Sequence, residues 1–433
     1  MMRVAIISDL VRPNGAGVMA LLAAEVLTAA GHETMVIGGA MNADLQTSLA
    51  QDHYAAEAFT HDERALDGSV TATDHRSFTR SFRRWLDSLL VEHRPDVLYV
   101  HNCGRVLSQL DLADLSQLVP VAHTMHDEWF FTDSHYTFRS PRSGQTVRTF
   151  EPGRSDSVIE HRFDHLFDLP TRVGAFAAIG PSRWITDRAR RMFPTLRIEH
   201  IANAVDTSLF DLQDKAGARR ALGLPLETPI VLFVGSTTQE RKGFGAFVDA
   251  MHALESTSDR MPLALVIGGT ASVATGDARA LVDAGPIADL LDTPALNPLG
   301  SVGTYRQTVV VSGLDRELMP AIYGAADVLV HPSIIDNLPT VPIEAGLCGT
   351  RCLASDVGGT AETIADVTDL FHSATSAQAL GGLILRAIED VADETVDHRR
   401  TRRAAQLDRF GLGPHSDAVI ALLEELGATG SDR

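Results

Sequence analysis

The sequence predicts an α/β protein built from two halves, each a doubly wound, mostly parallel sheet. Three observations carry that expectation. Short apolar runs of strand length alternate with segments of helical spacing along all 433 residues. The same opening of strand, glycine-bearing loop and helix occurs twice, at Arg3 and again at Pro229. The chain is long enough for two domains that each bury a core, and 45% of it is hydrophobic.

The first half opens with the run Arg3 to Ser8, bounded by Asp9, then Pro13 to Gly17 (PNGAG), then Val18 to Ala30 in helical spacing closed by Gly31. This loop lacks the full G-x-G-x-x-G fingerprint, so by itself Gly15 and Gly17 read equally as a tight turn. Glu33 to Ile37 is a second strand, and the polar stretch Asn42 to Asp74 shows no clear period. Ser77 to Val91 is an amphipathic helix: Phe78, Phe82, Trp85, Leu86 and Leu89 share one face, with Arg76, Arg80, Arg83 and Arg84 between them. Such a helix can lie on an anionic membrane surface, although an ordinary domain helix with solvated arginines is favoured. Asp96 to His101 and Val119 to Met125 are buried strands; the second runs into His123-Thr124-Met125-His126-Asp127-Glu128-Trp129. His126 falls at a strand's C-terminal end, the edge where open α/β sheets bind ligands. The aromatic segment from Trp129 to Phe150 then lines the ligand crevice or forms a mobile surface loop. Ala175 to Gly180, the helix opened by Pro181-Ser182-Arg183-Trp184, and Arg197 to Ala202 complete the half.

In the second half, strand Pro229 to Val234 leads through Gly235-Ser236 to Arg241-Lys242-Gly243 and a helix from Phe244 to Leu254. A cation pair beside a glycine turn suits a diphosphate leaving group, which gathers charge as the sugar bond breaks. Leu263 to Gly269 and Thr308 to Ser312 are further strands, and the interval 270–307 reads as an insertion without an assigned function. A short helix, Glu317 to Ala326, precedes the apolar run Val328 to Val330. A loop and a helix from Thr340 follow, with Pro342 in its first turn and Gly349 past its end. Arg351 to Ala354 is the next strand, and Gly358-Gly359 is expected to open another helix. Asp336 lies in the loop and Glu344 one turn into the helix. Free N–H groups at the helix start suit a phosphate, and Glu344 can accept hydrogen bonds from sugar hydroxyls. Helices are expected over Gln378 to Asp390, His398 to Phe410 and Pro414 to Leu426, with Gly427 to Arg433 a frayed tail.

The string from His331 to Glu362 resembles the retaining glycosyltransferases of family 4, of GT-B fold. Their hallmark is Glu, seven residues, Glu, then a small-residue helix and a Gly-Gly-x-x-Glu turn, met here by Asp336, Glu344, Gly358, Gly359 and Glu362. The run around His126 and the markers Pro181-Ser182-x-Trp184 and Asn203-Ala204-Val205-Asp206 also resemble that family. The departures are Asp336 for Glu, Ser236 for an Arg, and Ala204 for Gly. The resemblance implies two Rossmann-like domains facing across a cleft: 1–206 on the acceptor side, a linker 207–216, a nucleotide-sugar domain 217–410, and a helix 411–433 crossing back to the first domain. It implies a nucleoside diphosphate sugar, commonly UDP-linked, as co-substrate, with no cofactor and no metal. Sugar transfer then retains configuration by front-face attack. Lys242, Asp336 and His126 are the implied catalytic residues; Gly15, Gly17, Ser236, Arg241, Lys242, Asn337, Leu338 and Glu344 bind the donor.

The totals narrow the partners. A net charge of −19 argues against non-specific nucleic-acid binding, which needs a basic face. Cys103, Cys348 and Cys352 are too few and scattered for a disulfide framework, and no Cys/His spacing suggests a metal site. With no run of ~20 apolar residues and no signal-peptide core, a cytoplasmic protein is expected. The acceptor is then a soluble small molecule, such as an aminocyclitol or another natural-product aglycone, or else a glycan or lipid-linked polysaccharide precursor. Two other classes remain to be weighed: a catalytically silent scaffold serving as a partner subunit, and a dinucleotide-dependent oxidoreductase, which lacks its glycine fingerprint here.

Overall fold

The computed structural model describes the chain except residues 12–16, 53–54, 61–71, 133–135, 150–167, 256–260, 269–271, 276–277, 283–284, 292–304 and 431–433. Two compact units divide it, Met1–Ala204 together with Gly413–Arg433, and Val205–Leu412.

Unit 1 contains, in order, β1 (Arg3–Leu10), α1 (Gly17–Ala29), β2 (Glu33–Ala40), α2 (Ala43–Asp52), β3 (Ala55–Thr60), α3 (Ala72–His93), β4 (Val97–Val100), α4 (Gln109–Ser116), β5 (Val121–Thr124), α5 (Trp129–Thr132), β6 (Tyr136–Arg139), β7 (Thr146–Thr149), α6 (Leu169–Arg172), β8 (Phe176–Gly180), α7 (Arg183–Met192) and β9 (Ile198–His200). Seven strands form a parallel sheet in the order β3-β2-β1-β4-β5-β8-β9. Alternate residues of β1 feed two buried layers, Ala5 and Ile7 on one face, Val4 and Ile6 on the other, as the two-residue period of a strand requires. The second layer is completed by Val419, Leu422, Leu423 and Leu426 of the last helix, Leu412–Gly430. Arg197 of this unit grips Glu425 of that helix with two bonds of 2.9 and 2.8 Å.

Several expectations are corrected here. The stretch 42–74 that showed no period contains α2, capped by Asn42 Oδ1 accepting from Leu45 N at 2.7 Å, and the edge strand β3. An edge strand reading Ala-Ala-Glu-Ala-Phe-Thr is only half buried and carries no alternation to detect. The apolar stripe of α3 packs inward. Phe82 and Leu86 are fully buried, and Phe59 of β3 meets the Phe78 and Trp85 rings at 5.1 and 5.4 Å. The apolar stripe is thus packed inside the unit, and Arg83 is paired with Asp87 at 2.9 Å. Residues 427–430 continue the last helix instead of fraying.

Unit 2 contains α8 (Lys215–Leu222), β10 (Ile230–Val234), α9 (Phe244–Glu255), β11 (Leu263–Ile267), β12 (Val273–Thr275), α10 (Ala278–Leu281), α11 (Pro286–Leu291), β13 (Thr308–Val311), α12 (Met319–Ala325), β14 (Val328–His331), α13 (Thr340–Leu347), β15 (Arg351–Ser355), β16 (Leu370–Phe371), α14 (Ala377–Ala392) and α15 (Val396–Phe410). Its sheet has the order β12-β13-β11-β10-β14-β15-β16, parallel except for the edge strand β12. The interval read as an insertion thus contributes an antiparallel edge. Lys215 and Ala216, expected in a linker, open α8 because Asp214 caps it, accepting from Gly217 N at 3.0 Å. The helix expected after Gly358-Gly359 is a single 3₁₀ turn, Thr360–Thr363. Side chains of α15 claim the carbonyls an α-helix would need: Gln406 donates to Thr363 O at 2.8 Å, and Arg409 to Ile364 O at 3.1 Å and to Glu362 O. Ala204 is not among the residues of positive φ, so its lack of glycine costs nothing there.

In both sheets the strand order reverses direction at one point, between β1 and β4 and between β10 and β14. The C-terminal ends of those strands are where a doubly wound sheet opens a ligand crevice. Asp9 and His101 stand at the first, Ser236 and His331 at the second.

Candidate active site

In unit 2 the site is built on the loop from Pro332 to Pro339. Two glycines let other backbone segments touch it. Gly243 has φ +71°, and a Cβ there would lie 1.8 Å from Pro332 O; Gly358 has φ +55°, and a Cβ there would lie 2.0 Å from Asp336 O. Gly359 N donates to Asp336 O at 3.0 Å and Ile334 N to Arg241 O at 2.7 Å, while Ser355 Oγ donates to Ser333 O. The acidic loop is thereby tied to the Arg241-Lys242 turn on one side and the double-glycine turn on the other.

Within this frame Asp336, 6% exposed, gathers two cations and a buried imidazole whose pKa burial lowers. Lys242 Nζ lies 2.6 Å from its Oδ2, Arg241 Nη1 3.5 Å from its Oδ1, and His331 Nε2 3.6 Å from its Oδ2. Ser333 Oγ donates to the same carboxylate at 3.4 Å and lies 3.0 Å from His331 Nε2. Burial works to raise the Asp336 pKa, but Lys242, His331 and Arg241 outweigh it and hold the carboxyl well below its ordinary range. Burial lowers the Lys242 pKa, and Asp336 opposes that shift. The two residues expected on the phosphate and on the sugar are therefore paired with each other. An ammonium has three N–H groups, so one bond to Asp336 leaves capacity for phosphate oxygens.

Glu344 sits in α13, whose N-cap is Pro339. Tyr323 of α12, fully buried, donates its phenol to Glu344 Oε2 at 2.6 Å. Burial pushes the Glu344 carboxyl up, and the hydrogen bond from Tyr323 opposes it. Asn337 and Leu338 are both buried beside the helix start. Ser236 shapes its own loop: its Oγ accepts from Gln239 N at 3.2 Å, just ahead of the 3₁₀ turn Glu240–Lys242 that presents both cations.

In unit 1, Gly17 is the buried first residue of α1, and Gly15 lies outside the described residues. His126 follows β5 and belongs to a pocket lined also by Asp9, Asn102, His123 and Asp127. His126 Nε2 is 3.0 Å from His101 Nδ1. Arg105 Nη1 holds Asp9 Oδ2 at 3.0 Å, and Tyr136 Oη donates to His126 O at 3.3 Å. Glu128, with a fully buried side chain, lies 2.5 Å from Arg188 Nη2 and accepts from Thr137 N at 2.9 Å, so the β6–β7 hairpin is anchored next to His126. Trp129, Phe130 and Phe131 are core residues packed in the layer beneath the sheet, so this part of the aromatic segment is no mobile surface loop. His135 and Phe150 lie outside the described residues.

His101, Asp9, Arg105, Tyr323 and His331 belong to these clusters without having been singled out in the sequence. Asp9, His101 and His331 sit at strand ends, Tyr323 on a neighbouring helix and Arg105 in the turn after β4; placement at the C-terminal edge was the one signal available.

Two doubly wound, mostly parallel sheets of this kind are the architecture of the GT-B fold. Residues 13–209 match the family described as Glycosyltransferase Family 4, and residues 214–406 match Glycosyl transferases group 1. The chain belongs to the GT-B glycosyltransferases of family 4 type. It is 28% identical over 209 residues to a D-inositol 3-phosphate glycosyltransferase of Mycobacteroides abscessus, covering 47% of this chain and 42% of that protein. It is 24% identical over 325 residues to a 2-deoxystreptamine N-acetyl-D-glucosaminyltransferase of Streptomyces fradiae, covering 73% and 68%. The first two curated relatives are spanned over less than half of their own length, 42% and 46%. Among solved structures, Anabaena HepE in complex with UDP and glucose superposes with a TM-score of 0.65 at 17% identity, over 98% of this chain and 100% of that one.

No group of three or more His, Cys, Asp or Glu residues able to hold a metal ion occurs among the described residues, and no helix there is long and apolar enough to cross a membrane.

Proposed function

We propose that the protein transfers a sugar from a nucleoside diphosphate sugar, UDP-linked, to a hydroxyl of a small polyol or aminocyclitol acceptor, with retention of configuration. The observation that carries this reading is the Arg241-Lys242 pair, held at the switch point of the unit 2 sheet beside the start of α13. Lys242 and the free N–H groups of α13 bind the diphosphate and stabilise the charge it gains as the sugar bond breaks. Glu344, oriented by Tyr323, accepts from the ribose hydroxyls. Asp336 sets the position of Lys242 and faces the sugar. In unit 1 His126 meets substrate oxygens. Departure and attack occur on one face of the sugar, and the leaving phosphate takes the acceptor proton. The donor base draws support from the UDP-bound HepE neighbour. The acceptor class draws on the two curated relatives, one named for an inositol phosphate and one for an aminocyclitol. Three free, buried cysteines suit a reducing compartment, and we place the reaction in the cytoplasm.

A second reading has one observation in its favour. Lys242 is engaged by Asp336 at 2.6 Å, as it would be in a scaffold that has lost catalysis and serves as a partner subunit. Thermal stabilisation across a panel of nucleoside diphosphates and their sugars separates the two, since a ligand that binds only the folded chain raises Tm by mass action. A shift with UDP and one UDP sugar, followed by slow donor hydrolysis that disappears in Lys242→Ala, supports the transferase. No shift with any nucleotide overturns it and favours the scaffold.

A further inference from the structure

His101 is a buried histidine that the proposed reaction does not use. It stands directly after β4, at the switch point, 1% exposed. Its ring lies between Tyr99, at 4.4 Å between centroids, and His126, at 5.3 Å with an interplanar angle of 21°. Tyr99 is fixed in turn by Thr124, whose hydroxyl donates to the phenol oxygen at 3.2 Å. The ring of His101 is thus fixed in place and shares one hydrogen bond with His126, from Nδ1 to Nε2, at 3.0 Å.

One proton occupies that bond, and its owner decides the state of both rings. If His126 Nε2 carried it, a neutral His101 would need its own proton on Nε2. That atom is buried with no hydrogen-bond partner among the described residues. A buried N–H without an acceptor is the costlier defect, because orphaned donors are rarer in folded proteins than under-satisfied acceptors. If His101 Nδ1 carries the proton, its Nε2 is a bare lone pair and the defect is mild. His126 Nε2 then accepts, and its remaining proton stands on Nδ1.

We propose that His101 is a positioning residue that holds His126 as the Nδ1–H tautomer, so that His126 meets a sugar oxygen as a hydrogen-bond donor and not as a general base. The consequence for catalysis rests on the glycosyl-transfer reading; the tautomer itself does not. It fits front-face chemistry, in which the leaving phosphate takes the acceptor proton and no protein base is needed. Both rings stay neutral near pH 7: burial pushes His126 down to about 4, and burial with His126, His123 and His415 pushes His101 well below its usual value. The other charged or titratable groups around the pair are Asp127, which works to raise His126, and the Asp9–Arg105 ion pair in the same pocket.

The test is nitrogen-15 NMR of the full chain labelled at histidine, with His126 assigned by its loss in His126→Ala. Ring nitrogen shifts report directly which atom is protonated. The expected result is a protonated Nδ1 and bare Nε2 on His126 in the unaltered protein. A mixture of tautomers should appear in His101→Leu, with restoration in His101→Asn, whose amide N–H can stand in for Nδ1–H. Kinetically, His101→Leu should lower kcat for sugar transfer about five- to tenfold, the worth of one hydrogen bond, with donor KM little changed and Asn recovering part of the loss. A protonated Nε2 on His126 in the unaltered protein overturns the proposal, as does an unchanged His126 spectrum in a folded His101→Leu. Should Leu prevent folding, the unaltered and Asn spectra decide. A protein that shows the Nδ1–H tautomer but neither binds nucleotide nor transfers sugar would sink the proposed function and leave this inference standing.

Discussion

The two switch points of the molecule use opposite chemistry. At the unit 1 edge three rings, His101, His123 and His126, are driven to the uncharged form chiefly by burial, beside the single Asp9–Arg105 ion pair. At the unit 2 edge the groups are ions, Asp336 with Lys242 and Arg241 gathered around it, next to a His331 whose pKa burial lowers. The same β-loop-α geometry supports both. A neutral imidazole edge can exchange hydrogen bonds with a polyol without a net charge to solvate. A cation pair set against a carboxylate can take up two phosphates and recover its internal partner when they leave.

The comparison breaks most severely if the ionic edge is not needed. Lys242→Ala should lower kcat for donor cleavage by about 100- to 1,000-fold, the loss seen when one preorganised charge-stabilising donor is removed. A near-normal rate in steady-state assay would show that the cluster is only structural. If Glu344 holds the ribose as proposed, Glu344→Ala should raise donor KM by about tenfold to a hundredfold, the worth of one charge-assisted hydrogen bond. Unaltered donor saturation would sink the ribose assignment.

The neutral edge makes a prediction in pH. His123 titrates near 3 and His126 near 4 in the folded chain, both lowered by burial, against 6.5 for an ordinary histidine. Between those values the unfolded chain binds more protons, so stability rises with pH across the window and is lost as pH falls below about 6.5. Asp336 contributes in a separate, lower window: its depressed pKa gives stability above 3.8 that is lost only as pH falls below that value. Glu128, raised by burial, acts in the reverse sense from 4.5 upward. Tm followed from pH 7 to pH 4 should therefore decline through the histidine window before carboxylates protonate. A flat Tm there would mean that the imidazoles are hydrated in solution. The smallest expected effect is Tyr323→Phe, which removes one bond to Glu344 and should raise donor KM about fivefold with kcat unchanged. A fall in kcat alone would assign Tyr323 another part.

Much of this was legible before any coordinates. Strand-loop-helix order and the place of Pro342 and Gly349 around α13 follow from local rules. Backbone restriction at proline and glycine and the apolar period depend on neighbours in sequence. The half-buried edge strand β3, the 3₁₀ turn that replaced a helix after Gly359, and the edge strand inside 270–307 were not legible. Each was decided by partners far along the chain, such as Gln406 and Arg409 of α15 capturing the carbonyls at 362–364.

The same division holds in the sites. Sequence alone nominated candidates for the phosphate and the sugar, because side-chain chemistry and position in a motif are local properties. Only the tertiary structure decided that Lys242 rests on Asp336, that Tyr323 orients Glu344, and that His101 shares a proton with His126. Those pairings span 94, 21 and 25 residues, and they arise because a doubly wound sheet brings the C-terminal ends of separate strands to one edge.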